Sequence, residues 1–208
     1  MKRLTFAVFL AACSIVPCAV AQKNELTGIV GRTFISNQGI QGNTSFDNLL
    51  RFGNGLTFEV NYARRFMATP VLSLSAEVPF VINIDQDLHA PSPPNIVPES
   101  YKSFIVTPAA RVNFFPTTAV SPWVSFGGGF AHYSESSNLL FGGKNPGKTG
   151  TTTSAVEMGA GLDVKVFKNF SLRGEFRDFW TGVPQLNVNT GKSHQHNYLV
   201  GGGLIWRF

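Results

Sequence analysis

The stretch Tyr198-Leu-Val-Gly-Gly-Gly-Leu-Ile-Trp-Arg-Phe208 decides the fold. Tyr198, Val200, Leu204, Trp206 and Phe208 fall on one parity, and Leu199, Gly201, Gly203, Ile205 and Arg207 on the other. Side chains that alternate with period two belong to a β-strand. One face of this strand is apolar along its length and ends on an aromatic residue. Such a face needs either a core or lipid against it, and the rest of the chain decides between them.

The opposite end of the chain has a different character. Lys2 and Arg3 precede an apolar stretch, Leu4 to Val16, and Ala19-Val20-Ala21 fits an A-x-A cleavage site before Gln22. That stretch suits a secretory signal and is too short to span a bilayer. The expectation is a signal peptide over 1–21 and one domain over 22–208. Leu10-Ala-Ala-Cys13 also has the form of a lipoprotein processing box that would lipidate Cys13. The apolar stretch before it is very short, however, and a second apolar run, Ser14 to Ala21, would then open the mature chain. Cys13 and Cys18 are the only cysteines. A mature domain without them has no disulfide, no zinc–thiolate site and no cysteine nucleophile. Without Lys2 and Arg3 the net charge falls from +5 to +3, and no basic run suits a nucleic acid. No apolar stretch after the signal is long enough for a membrane helix, so a chain that spans a membrane must do so as a closed barrel.

Alternation predicts eight strands, each near the 9–11 residues that a tilted spanning strand requires. They are Leu26–Ile35, Leu56–Phe66, Val71–Val81, Lys102–Phe114, Trp123–Tyr133, Thr153–Phe167, Phe170–Phe179 and the closing strand. Arg32 makes the first the least regular, since it shares a parity with Leu26 and Val30. Pro108 is awkward in the fourth, because it donates no ladder bond and a closed barrel has no free edge; a bulge or a broken strand is expected there. Short connections (65–70, 115–121, 167–170) alternate with long ones (36–54, 82–100, 134–152, 180–196). Short periplasmic turns and long outer loops give this alternation in an even-stranded membrane barrel, with both termini in the periplasm. The fold class read from these features is all-β: a closed, antiparallel, eight-stranded transmembrane barrel with up-and-down meander topology.

The sign of the alternation chooses lipid as the solvent of the apolar face. The other face carries Glu59, Glu77, Arg111, Glu157, Asp163, Lys165, Arg173, Glu175, Arg177 and Arg207. An apolar pocket cannot be lined by so many charges, since each unpaired buried charge costs several kcal/mol. A narrow lumen can hold them as pairs. Arg173, Glu175 and Arg177 call for partners across that lumen, with Glu157 and Glu59 as candidates. The interior of an eight-stranded barrel is just wide enough to be filled by side chains, so the expectation is a charged, plugged lumen without a wide pore.

These features resemble the OmpA-like outer-membrane β-barrel family. The resemblance rests on the closing strand, on Leu172-Arg-Gly-Glu-Phe-Arg-Asp-Phe179 in the penultimate strand and on the loop pattern. Gly203-Leu-Ile-Trp206-Arg-Phe208 is similar to the assembly signal of that class, with Tyr198, Gly203, Trp206 and Phe208 as its residues; Gly201 stands where a polar residue is usual. The resemblance implies the outer membrane of a Gram-negative cell as the location. It further implies membrane lipids, lipopolysaccharide and the barrel-assembly machinery as partners.

His132-Tyr133-Ser134 is the one constellation with the makings of a catalytic site. His132 and Ser134 share a face and could act as base and nucleophile. They resemble the H-x-S motif of lipid A deacylases, although the family motif places an Asn after the Ser and this chain has Glu135. The acids at hand, Glu135 and Glu157, have the lumen parity. His194 and His196 could hold a metal with His89 only if distant loops met, and Asp85-Gln-Asp87 lacks calcium-loop spacing. Gly142, Gly147, Lys148 and Thr149 fit the letters of a phosphate loop, but no helix follows to bind the anion. No metal or cofactor is expected. Lys144, Lys148 and Lys192 in the loops could meet lipopolysaccharide phosphates. The expected role is structural or in surface interaction. A lipid A hydrolase built on His132 and Ser134, and a narrow channel for small solutes, stand as alternatives.

Overall fold

The computed structural model describes residues 23–43, 46–91 and 95–208. The expected signal peptide, with Cys13 and Cys18, lies outside the described residues. Among those described, the regular elements are eleven antiparallel strands in one sheet. The alternation of the sequence sets their faces, and the sheet closes on itself.

The wall begins with β1 (Asn24–Ile35), which pairs with β4 (Gly55–Ala68). β4 pairs with β5 (Leu72–His89). The next position in the wall is shared by two segments, β6 (Ser100–Val106) and β7 (Ala109–Phe114), which both lie between β5 and β8 (Val120–Glu135). β9 (Thr151–Lys165), β10 (Phe170–Gly182) and β11 (His194–Arg207) follow as a meander. β11 returns to β1 in a ladder from Glu25 opposite Arg207 to Ile35 opposite Asn197. This makes an eight-stranded barrel, with β2 (Gln38–Gly39) and β3 (Leu49–Phe52) as a small addition stacked on the end of β5.

The strand read across Lys102–Phe114 is broken at Thr107 and Pro108. The antiparallel registers on either side of the break set Pro79 of β5 opposite Thr107 and Val78 opposite Pro108. Two prolines therefore meet at one level of one seam, and neither can donate a ladder bond. The Gly128 amide donates to the Pro108 carbonyl oxygen at 3.1 Å and carries the wall past the interruption.

The third strand runs past Val81 to His89, with a register shift between Asn83 and Gln86. The Asp85-Gln-Asp87 segment, which reads as loop, belongs to this extension. β3 stabilises it by pairing Arg51 with His89 and Phe52 with Leu88. The loop expected over 82–100 shrinks accordingly to 90–99. The turns at the opposite end span 69–71, 115–119 and 166–169.

The outward face carries large apolar side chains on every wall strand, among them Val30, Phe58, Phe80, Phe126, Met158, Phe176 and Leu204. Phe126 and Leu204 are 62% and 58% exposed. On a water-soluble surface such a belt would be an aggregation hazard; around a closed barrel it is the surface that lipid covers. Backbone donors in the wall pair between neighbouring strands, which is what a hydrocarbon environment demands.

Inside, the lumen has two storeys. The half nearest the short turns holds the ionised residues. The other half is mostly uncharged: Val81, Ile105, Ala131, Phe179 and Leu199 pack from the wall among hydrogen-bonded amides and hydroxyls such as Asn197, Gln195 and Thr181, and Ile40, Leu50, Leu88, Val97 and Leu186 close over them from the loops. Tyr101 and Tyr133 sit in this layer edge to face, with centroids 5.6 Å apart. The alternation in the wall predicts a lumen plugged by charge; in the structure ion pairs fill the lower half, and apolar side chains with neutral hydrogen-bonding groups fill most of the upper.

The long connections are tied together. Asn187 donates to the Ile96 carbonyl at 2.9 Å and to Asn145 Oδ1 at 2.8 Å. Asn145 in turn donates to the Ser136 carbonyl, and Asn95 bridges to Gly142 and Phe141. The Gln41 amide donates to the Asn189 carbonyl. Side-chain amides of asparagine, each with a donor and an acceptor, thus link three connections, and the Gln41 backbone bond ties the fourth to them in one platform.

Candidate functional site

The lower lumen is built by inward residues of β1, β4, β5, β7, β8, β9, β10 and β11. Arg177 of β10 is at its centre and fully buried. Its Nη1 lies 3.0 Å from Glu77 Oε1 and 2.8 Å from Glu157 Oε1. Its Nε lies 3.2 Å from Glu175 and 3.3 Å from Glu59. Arg111 donates to the other oxygen of Glu77 at 3.0 Å, to Asn113 and to Glu25. Arg173 grips Asp163 with two bonds, 2.7 and 2.9 Å. Planar guanidinium groups serve here because each can satisfy several carboxylates at once.

Trp123 packs among the three buried arginines, whose Cζ atoms are 4.8 Å (Arg173), 5.1 Å (Arg177) and 6.0 Å (Arg111) from its ring centroid. The space for the indole comes from the facing strand. A Cβ on Gly161 would stand 2.7 Å from Trp123 Cζ2. A glycine at this position of β9 is thus a packing requirement.

Glu59, Glu77, Arg111, Glu157, Asp163, Arg173, Glu175 and Arg177 are therefore brought together. Lys165 is not: it has the lumen parity but lies exposed at the end of β9, at the mouth of the barrel. There it borders a small cavity of about 20 Å³ with Arg65, Asp163 and Arg207, room for about one water. Two further members were not among the expected lumen charges: Glu25, outside the expected strands, and Arg65, which has the lumen parity of Glu59 and Asn61 at the end of the expected strand Leu56–Phe66. Glu25 is the residue before the expected first strand, and its carboxylate meets Arg65 at 2.8 Å, Arg207 at 3.0 Å and Arg111. Its parity with Thr27 was the available signal. Arg65 approaches from the end of β4.

His132 and Ser134 lie on the outward face of β8 near its loop end. His132 Nδ1 is 2.8 Å from Thr152 Oγ1, and Ser134 stands across from Lys102. Glu135 is buried on the lumen side, where it accepts the Gln185 amide proton, and Glu157 belongs to the Arg177 cluster. Neither acid shares the His132 face. His194 and His196 are outward on β11 and distant in sequence from His89; among the described residues no group of three His, Cys, Asp or Glu is placed to hold a metal ion. Lys144, Lys148 and Lys192 are in the loop platform. Asp47 Oδ2, also there, is 2.8 Å from Arg51 Nη1. That bond, helped by the Leu49 amide, holds the Asp47 carboxyl below its usual range.

At the closing seam, Trp206 lies across from Leu26 on one side and Phe170 on the other. Its ring is 4.7 Å from that of Phe208. The Phe208 and Asn24 backbones exchange two 3.0 Å hydrogen bonds. Tyr198 stacks on Phe176 at the far end of the same face, and Gly203 passes close to the β1 backbone.

No family model and no curated protein sequence matches the chain. Solved structures do. Neisserial surface protein A (NspA) is 17% identical, with a TM-score of 0.53 over 91% of this chain and 100% of that one. The outer membrane protein OprG from Pseudomonas aeruginosa is 11% identical, with a TM-score of 0.54 over 90% of this chain and 96% of that one. The outer membrane protein AlkL, solved in DMPC bilayers, is 11% identical, with a TM-score of 0.50 over 93% and 94%. At these identities the likeness is one of fold: the chain is an eight-stranded barrel of the outer-membrane type. Together with the closed ladder and the apolar exterior, this places it in the outer membrane.

Proposed function

We propose that the chain is a sealed outer-membrane barrel whose role is structural or in surface interaction, with the tied loop platform as its working surface. The observation that carries this reading is the two-storey filling of the lumen beneath loops that hydrogen-bond to one another. A narrow channel has less support, since both storeys are packed. On the same reading Lys144, Lys148 and Lys192 face lipopolysaccharide phosphates, and the Tyr198, Gly203, Trp206 and Phe208 strand is what the assembly machinery receives.

Two measurements test it. The purified protein in planar bilayers should give no large, stable conductance steps; porin-like steps would refute the sealed lumen. A membrane-impermeant amine reagent on intact cells should label Lys144, Lys148 and Lys192 and spare Lys165 and Lys168, which on this reading belong to the periplasmic end. The reverse pattern would put the platform on the wrong side.

A further inference from the structure

Asp178 is out of place in a lipid-facing row. It has the outward parity of β10, between Phe176 and Trp180, and it is the only carboxylate on the outward faces of β10 and β11. An ionisable group kept at such a position marks a functional site before it marks anything else. Asp178 Oδ2 is 2.7 Å from His196 Nδ1, while its Oδ1 is buried with no partner. The His196 ring lies nearly parallel to Tyr198, with centroids 5.6 Å apart, and Tyr198 stacks on Phe176. Trp180, directly across from His196, is occupied by His194 at 4.7 Å. The imidazole is thus held by an acid on one side and an aromatic on another. With Nδ1 donating to the carboxylate, Nε2 carries the lone pair.

The third member comes from the strand on the other side. The β1–β11 register ends with Ile35 opposite Asn197; continued one residue past the end of β1, it brings Ser36 level with His196. Ser36 is exposed and continues the outward parity of Arg32 and Phe34. Asp178 of β10, His196 of β11 and Ser36, the residue that follows β1, therefore succeed one another around the loop end of the wall, where the outer-leaflet headgroups begin. A carboxylate orienting the base is what His132 lacks.

We propose that Ser36, His196 and Asp178 form an acyl-hydrolase site that opens onto the outer leaflet and takes ester-linked acyl chains of its lipids. Ser36 Oγ adds to the ester carbonyl carbon while His196 Nε2 takes its proton. The bond to the lipid alcohol breaks, and that oxygen leaves with the proton from His196. Water then adds to the acyl-serine, His196 takes a proton from the water and returns it to Ser36 Oγ, and the fatty acid departs. Asp178 is a positioning residue, which holds the ring and its tautomer. This assignment stands apart from the platform reading: a silent bilayer recording neither supports nor harms it.

The folded, detergent-purified protein is incubated separately with lipid A and with phosphatidylglycerol vesicles, and free fatty acid is measured; the responding arm identifies the source of the ester. A fluorophosphonate probe is added in parallel, and its adduct is located by mass spectrometry. Turnover and an adduct on Ser36 are expected. Ser36→Ala should remove the adduct and lower turnover on the order of 1000-fold or more. Asp178→Asn should lower kcat by roughly 100-fold or more with KM little changed, and Asp178→Glu should recover part of it. Ser137→Ala, an exposed loop control, should change nothing. Heat-modifiability on gels checks that each variant is folded, and should a variant fail, labelling of the wild-type protein still decides. Folded wild-type protein without probe on Ser36, or without fatty acid from either lipid, overturns the proposal, as does turnover that survives Ser36→Ala.

Discussion

Replacing Arg177 with methionine is expected to destabilise the barrel by about 3–5 kcal/mol, the usual cost of removing one partner from a buried ionic cluster. The substitution keeps the length and apolar stem of the side chain, so its effect reports charge. It leaves Glu59, Glu77, Glu157 and Glu175 facing one another, with Glu77 alone retaining a second guanidinium, that of Arg111. Urea unfolding in lipid vesicles, followed by the gel shift between folded and unfolded forms, measures the loss. Arg65→Met is the comparison. Arg65 is partly exposed and meets Glu25, which keeps Arg111 and Arg207, so its loss should cost about 1 kcal/mol or less. Equal effects at the two positions would mean that the Arg177 cluster contributes nothing beyond an exposed ion pair.

Gly203→Ala is expected to cost about 3 kcal/mol or to prevent closure altogether. A methyl group there would overlap the Gly28 carbonyl oxygen and stand 2.8 Å from Ile29 Cα. Both obstacles are backbone, and both belong to β1, the strand that β11 must reach to close the ring. Side chains elsewhere can rotate away; this contact has no such escape. Gly28→Ala, on the outward face of the same seam, meets nothing within 4 Å and should be tolerated. The folded fraction on unheated gels distinguishes the two, and a Gly203→Ala protein as stable as Gly28→Ala would refute the steric argument.

Much of the wall was legible because a closed barrel writes its geometry at period two. Phe58, Val60 and Tyr62 alternate with Glu59 and Asn61, and that is enough to tell lipid from lumen. Pro108 announced the interruption between β6 and β7 for a reason equally local, its missing donor. Parity is silent about what lies across the lumen. Ile40, Leu50, Val97 and Leu186, which cap the upper storey, are scattered through polar connections with no period to betray them. β5 outran its expected end because its support comes from β3, far back in the chain, through the pairing of Arg51 with His89 and Phe52 with Leu88. Gln86 reaches the Gly53 carbonyl in the same extension. The pairing of Asp178 with His196 depends on register between two strands, and spacing along the chain contains no trace of it.

The paired prolines at the level of Thr107 have a mechanical corollary. The seam beside β5 loses its ladder donors at its waist, near the level where the ion pairs of the interior give way to mostly uncharged groups. Rims ordinarily loosen first in a cylinder of strands; along this one seam strain would instead gather midway, while the unbroken ladders of the other seams hold the cylinder together.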